Sequence, residues 1–155
     1  MTQKPDIRVR RQVKIMADVK KYEKLLTDLN SSLWDLAEIR FEEKKSSAMM
    51  EKVLKEHGFE VTRGAGELPT AYEAVYGTGS PVIGLLAEYD ALDGLSQKAD
   101  STVHEPRPET THGHGCGHHL LGTGVIGAAL ALKDYLADHP GCGTLKVFGC
   151  PAEEG

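Results

Sequence analysis

A chain of 155 residues, 40% hydrophobic and 26% charged, has the make-up of an ordinary globular protein, long enough for one domain or part of a larger one. Its net charge of -5 argues against nucleic acid as the main partner, because phosphate binding favours a basic face. No unbroken run of about 18 apolar residues occurs, which argues against a membrane partner, and the start lacks the apolar core of a secretory signal.

The stretch up to residue 24 is locally basic (Lys4, Arg8, Arg10, Arg11, Lys14, Lys20, Lys21, Lys24), with interleaved acids that mark a solvated helix face. Residues 12 to 29 place Met16, Val19, Tyr22, Leu25, Leu26 and Leu29 at helical spacing. Ser32 with Asp35 resembles a capping box, so a helix is expected to restart there and bury Leu33, Trp34 and Leu36. Ser46 or Ser47 is the expected cap of a further helix with Met49, Met50, Val53 and Leu54 in one stripe. Gly58 fits a left-handed C-terminal cap.

Character then changes. Residues 59 to 62 and 70 to 76 alternate like half-buried strands, and Gly77-Thr78-Gly79-Ser80-Pro81 reads as a turn. Val82 to Ala87 is a continuous apolar run that predicts a central strand covered on both faces. Residues 89 to 117 form a long loop rich in Asp, His, Pro and Gly. Leu120 to Leu136 predicts a deeply buried helix, and Leu145 to Phe148 a short strand. The expected fold is α/β, with helices packed on a mixed, largely parallel sheet and the site beyond the carboxyl ends of its strands.

The chemistry concentrates in two places. Five of the seven histidines lie between positions 104 and 119, in a run ending His112-Gly113-His114-Gly115-Cys116-Gly117-His118-His119. Cys116 and His118 stand just before the apolar helix, where partial positive charge favours the thiolate that binds metal. His104 and His112 read as solvated loop residues. The second place is Glu153-Glu154, after Leu145 to Pro151. On an extended backbone these side chains diverge, which suits one to a metal and its neighbour to an attacking water; an exposed acidic pair is the plainer alternative. Asp90 leaves the apolar strand at its carboxyl end, placed either to hold a metal-bound histidine in one tautomer or to cap a loop. Gly122-Thr123-Gly124-Val125-Ile126-Gly127 matches a dinucleotide-binding pattern by letter, but no strand precedes it and no acid follows at the right distance. Close helix packing explains those glycines better. Three cysteines, Cys116, Cys142 and Cys150, do not make a disulfide framework, so a reducing, cytoplasmic setting is expected.

Several stretches together resemble peptidase family M-20, the metal-dependent amidohydrolases and carboxypeptidases. They are Ala87-Glu88-Tyr89-Asp90-Ala91-Leu92 with Gly94-Leu95-Ser96-Gln97, Gly113-His114-Gly115-Cys116-Gly117-His118, Leu120-Leu121-Gly122-Thr123, and Cys150-Pro151-Ala152-Glu153-Glu154-Gly155. Within the family the chain is similar to the p-aminobenzoyl-glutamate hydrolase-like branch, which includes related dipeptidases. The resemblance implies Cys116, His118 and Glu154 as metal ligands, Glu153 as general base and Asp90 as the supporting carboxylate. It also implies a zinc-exopeptidase-like catalytic domain, of which residues 1–155 would be the N-terminal part without the dimerisation domain. Zn or Mn is the implied cofactor, with two ions in a complete enzyme. His119 stands where the family usually has Asp or Asn, and Asp93 where this branch commonly has proline.

The expected activity is hydrolysis of an amide bond in a small N-acyl amino acid or dipeptide, by a protein that forms homo-oligomers at full length. A non-catalytic metal-binding or interaction protein is the rival reading. A structural zinc module fits poorly, because it would need a closed set of four ligands.

Overall fold

The computed structural model describes residues 19–155. The expected basic face up to residue 18, and Met16 with it, lie outside the described residues. In chain order come helix α1 (Glu23–Leu36), helix α2 (Lys44–Glu56), strand β1 (Glu60–Arg63), a short 3-10 turn (Ala65–Glu67), strands β2 (Tyr72–Gly79) and β3 (Val82–Glu88), helix α3 (His118–Asp138) and strand β4 (Cys142–Cys150).

Both amphipathic helices form, with different ends from those expected. Helix α1 runs unbroken through Ser32, whose Oγ donates to the Asp28 carbonyl at 2.7 Å. That back-bond belongs to a helix interior, so there is no capping box and no restart. Leu29 and Leu33 still reach the core. Ser46 and Ser47 lie inside the first turn of α2 and do not cap it. The cap comes from outside the helix: the Glu38 carboxylate accepts the backbone N–H groups of Lys45 at 3.0 Å and Ser46 at 2.7 Å. A negative charge there satisfies orphan donors and complements the helix dipole. Met50, Val53 and Leu54 form the buried stripe. Gly58 ends the segment at φ 88, with the N–H of Phe59 donating to Leu54 O at 3.1 Å, as its left-handed cap requires.

The sheet is mixed, with strand order β1-β2-β4-β3. Its parallel share is smaller than expected: β1–β2 and β2–β4 are antiparallel, and only β3–β4 is parallel among the described strands. The turn at Ser80-Pro81 reverses the chain, so β2 and β3 run in opposite directions. A strand lying between them must therefore oppose one, and β4 lies between them. Gly77 and Gly79, expected in the turn, instead belong to β2 and pair with Thr144 and Cys142. Gly79 adopts φ 102, and a Cβ there would meet the Gly141 carbonyl oxygen at 2.1 Å, so close strand approach requires glycine.

Burial alternates along β4, with Leu145 and Val147 turned inward and Thr144, Lys146 and Phe148 half-covered. Leu145 and Val147 meet Tyr72, Ala74, Ala87, Leu33, Met50, Leu54, Ile126 and Leu130 in one core. Strand β3 is not the doubly covered central strand its apolar run predicts. It lies at the sheet edge, and Val82 and Leu86 are 61% and 62% exposed. The helices cover the side bearing Ala87, and nothing among the described residues covers the other.

Helix α3, 21 residues long, meets the length and composition of a membrane span, although 39% of its most apolar window is buried inside the fold. The expectation of no spanning segment rests on the absence of an unbroken apolar run. Polar residues at the start of α3 interrupt the run without lowering its mean hydropathy enough. Its buried Ile126, Ala129 and Leu130 join the core cluster, the position of a core helix. Its glycines behave as packing residues, not as a nucleotide loop. A Cβ on Gly122 would stand 2.4 Å from the Glu88 carbonyl oxygen, whereas one on Gly124 would meet nothing within 4 Å. Gly122→Ala should therefore destabilise the fold by about 1–3 kcal/mol through overpacking. Gly124→Ala should stabilise it by about 0.5–1 kcal/mol through helix propensity. Urea melts of both variants check this; equal effects would show that the approach of α3 to β3 is not tight.

Candidate metal centre

Strands β3 and β4 run parallel as far as Glu88 and Cys150, so the segments that follow them emerge at one end of the sheet. Asp90 follows β3, Pro151 to Glu154 follow β4, and α3 begins beside them at His118. Glu88 and Asp90 stand two apart on extended chain, a spacing that presents both side chains to one side.

His118, 2% exposed, organises the site. Its Nδ1 lies 2.8 Å from Asp90 Oδ1, while Asp90 Oδ2 accepts the backbone N–H of Glu154 at 3.0 Å. A carboxylate only accepts, so Nδ1 carries the ring proton and Nε2 of the neutral ring presents a lone pair. That nitrogen faces Glu88 Oε2 at 3.3 Å, Glu153 Oε2 at 3.6 Å and Glu154 Oε1 at 4.0 Å. A buried lone pair set against three carboxylates calls for a positive centre between them, either a metal ion or a second ring proton. Cys116, His118 and Glu154 bring their donor atoms within 4.8 Å of one another. Thiolate, imidazole and carboxylate together are donors that a divalent zinc-like ion takes, so the residues fit the cation.

The five residues expected at the site therefore come together, with two changes in how they do so. Glu153 and Glu154 do not diverge on an extended backbone. Ala152 adopts φ 57, and the N–H of Gly155 donates back to Ala152 O at 3.0 Å, forming a turn that points both carboxylates toward His118. Cys116 also sits beside carboxylates that act on its thiol. Its thiol pKa is raised, first by its hydrogen bond with Glu154, then by desolvation and the charges of Glu154, Glu153 and Glu88. The nearby carboxylates favour the thiol, so a cation among them is what would favour the thiolate.

Two further carboxylates carry no clear mark in the sequence. Glu88 offers the oxygen nearest to His118 Nε2, and its i, i+2 spacing from Asp90 was the available signal. Glu43, fully buried, accepts the Ala152 N–H at 2.8 Å and the Thr70 hydroxyl at 3.1 Å, thereby anchoring the turn that carries Glu153. Nothing local marks Glu43, because its partners are distant in sequence.

His114 and His119 stay out of the cluster. The His114 Nε2–H donates to the Leu33 carbonyl at 3.0 Å, and burial pushes its pKa down to about 4. His119 packs its ring on Trp34 and His114, with centroids 5.1 Å and 4.7 Å away. It lies outside the donor groups around His118, and burial lowers its pKa. Arg107 donates to Trp34 O and Asp35 O at 3.2 Å each, so the long loop ties itself to the end of α1 at both points. His104 is exposed, as expected; half-buried His112 lies 3.5 Å from Asp93.

Comparison with known proteins finds relatives in sequence and in fold. A p-aminobenzoyl-glutamate hydrolase subunit of Escherichia coli (strain K12) is 45% identical over 141 residues, covering 91% of this chain and 28% of that protein. The hippurate hydrolase of Campylobacter jejuni is 32% identical over 118 residues, covering 76% of this chain and 29% of its own. A solved structure of the Bacillus subtilis YXEP protein, described as a dinuclear metal-binding peptidase from the M20 family, superposes with a TM-score of 0.71 at 26% identity, over 87% of this chain and 36% of that one. The chain belongs to the M20 peptidase family. No family model matches it. This M20 chain spans less than a third of the length of either curated relative. Its helices packed on a mixed sheet form part of an M20 peptidase domain.

Proposed function

We propose that the chain supplies the N-terminal part of a catalytic domain that hydrolyses an amide bond in a small N-acyl amino acid or dipeptide, with a divalent metal as cofactor. The carrying observation is the buried His118 lone pair, fixed by Asp90 and set against Cys116 and three carboxylates. The substrate class follows the names of two relatives, since p-aminobenzoyl-glutamate and hippurate are both acylated amino acids.

Cys116, His118 and Glu154 are the residues to hold the ion, which when bound supplies Lewis acidity and a lowered pKa for water. Glu153, half exposed, is free to take a proton from water and return it to the leaving amine. Asp90 keeps His118 in the ligating tautomer and holds the Glu154 backbone in register. Glu43 fixes the turn behind them. Cys116, Cys142 and Cys150 are free thiols, which suits a reducing, cytoplasmic compartment.

The test is to assay a full-length protein that contains residues 1–155, loaded with Zn2+, Mn2+ or Co2+, against p-aminobenzoyl-glutamate and hippurate. Amine release should need the metal, stop with a chelator and return when metal is restored. Metal binding without turnover on any substrate would remove hydrolysis from this chain and leave a metal-binding or interaction protein.

A further inference from the structure

A cleft of about 590 Å3 lies between α1, the long loop and the start of α3, and none of Cys116, His118, Glu153 or Glu154 lines it. That is room for a small organic molecule, since such sites run from roughly 300 to 1,000 Å3. One wall is Trp34, against whose indole the His119 ring packs at a centroid distance of 5.1 Å. A flat π surface favours a planar aromatic guest.

Two residues of the cleft hold hydrogen-bonding capacity that the fold does not use. Asn30 Oδ1 and His119 Nδ1 are both buried without a hydrogen-bond partner among the described residues, and His119 as a whole is only 6% exposed. Polar atoms so placed normally have a partner, because leaving the bond unmade costs free energy. Asn30 belongs to α1 and His119 to α3, and the cleft is lined by both. Asn30 Oδ1 only accepts, and His119 Nδ1 accepts when the ring proton sits on Nε2. A primary amine on an aromatic ring brings two N–H donors, one for each acceptor.

The surrounding charges argue for an uncharged guest. Lys98 and Arg107 line the cleft, but Lys98 Nζ donates to Glu105 and Arg107 Nε donates to Glu109. Asp35 and Asp100 stand beside them. An anion would meet cations already neutralised and two further carboxylates. A cation would have to leave water to reach acceptors that carry no charge, which costs more than a hydrogen bond returns.

We infer that this cleft binds an uncharged primary arylamine, its ring against Trp34 and its N–H groups donating to Asn30 Oδ1 and His119 Nδ1. The site stands apart from the metal-binding reading and does not depend on it.

The test uses a full-length protein that contains residues 1–155, labelled with fluorotryptophan. The Trp34 fluorine resonance is identified by its loss in Trp34→Phe and followed while p-toluidine or p-xylene is added. The two probes share one shape, and only the amine has N–H groups. Saturable movement of the Trp34 resonance is expected with p-toluidine, at an affinity at least about tenfold above that of p-xylene, the scale of one hydrogen bond. Both p-aminobenzoate and benzylammonium should bind more weakly than p-toluidine. Asn30→Leu, shown to fold by circular dichroism, should lose the preference for the amine. Equal affinity for amine and hydrocarbon, or no Trp34 shift with p-toluidine, would leave the two polar atoms to water only and overturn the site. So would a charged probe that binds more tightly than p-toluidine, or an Asn30→Leu variant that keeps the full preference. The comparison of the two probes on the wild-type protein decides the matter without any variant.

Discussion

Glu153→Gln is expected to lower amide turnover by about 10²–10⁴-fold, the usual contribution of a positioned general base, while bound Zn2+ stays unchanged. The carboxamide keeps the shape of the side chain and cannot accept the water's proton. Glu153 is not among Cys116, His118 and Glu154, the residues proposed to hold the ion. Half of its side chain is exposed, so the substitution does not disturb a core. Zinc content by elemental analysis, set beside initial rates on p-aminobenzoyl-glutamate, checks both halves. Unchanged turnover would remove Glu153 from proton transfer, and lost zinc would make it a ligand.

Asp90→Asn should act in the opposite way, on the metal first. The carboxylate accepts two N–H groups, one from the His118 ring and one from the Glu154 backbone. A carboxamide has one acceptor oxygen, so one of these donors must face an NH2. If the ring is the loser, the proton moves to Nε2 and blocks the lone pair that would bind the ion. If the backbone is the loser, the turn carrying both glutamates loosens. Either route should weaken zinc by about 10–100-fold, as loss of such supporting contacts does. An unpaired donor at this buried site should also cost about 1–3 kcal/mol of stability. Competition against a chromophoric chelator and urea melts measure the two effects. Full zinc affinity in Asp90→Asn would mean that the tautomer is fixed by something else.

Much of this fold was readable locally. The stripe of α2, the cap at Gly58, the apolar α3 and the alternating strands all depend on residues within a turn or two of one another. The clustering of candidate donors was readable too, because Cys116 and His118 fall together at a helix start and the glutamates at a strand end. Other features depended on partners far along the chain. Ser32 and Ser46 carry the same side chain that caps helices elsewhere, and only the run of α1 and the reach of Glu38 show that neither does so here. His119 stands beside His118 in sequence, and only the fold shows its ring packed on Trp34 and His114.

Residue order alone marked Cys116, His118, Asp90, Glu153 and Glu154, though not Glu88, and the family to which the pattern belongs. Tertiary structure decided how those donors face one another. Inserting β4 between β2 and β3 brought the glutamate turn beside Asp90, and the left-handed Ala152 swung both carboxylates onto one imidazole. Glu88, whose carbonyl packs closely on Gly122, offers the nearest carboxylate oxygen to His118 Nε2. Local rules specify backbone direction over a few residues, whereas the distance between two charges far apart in the chain depends on how strands and helices pack.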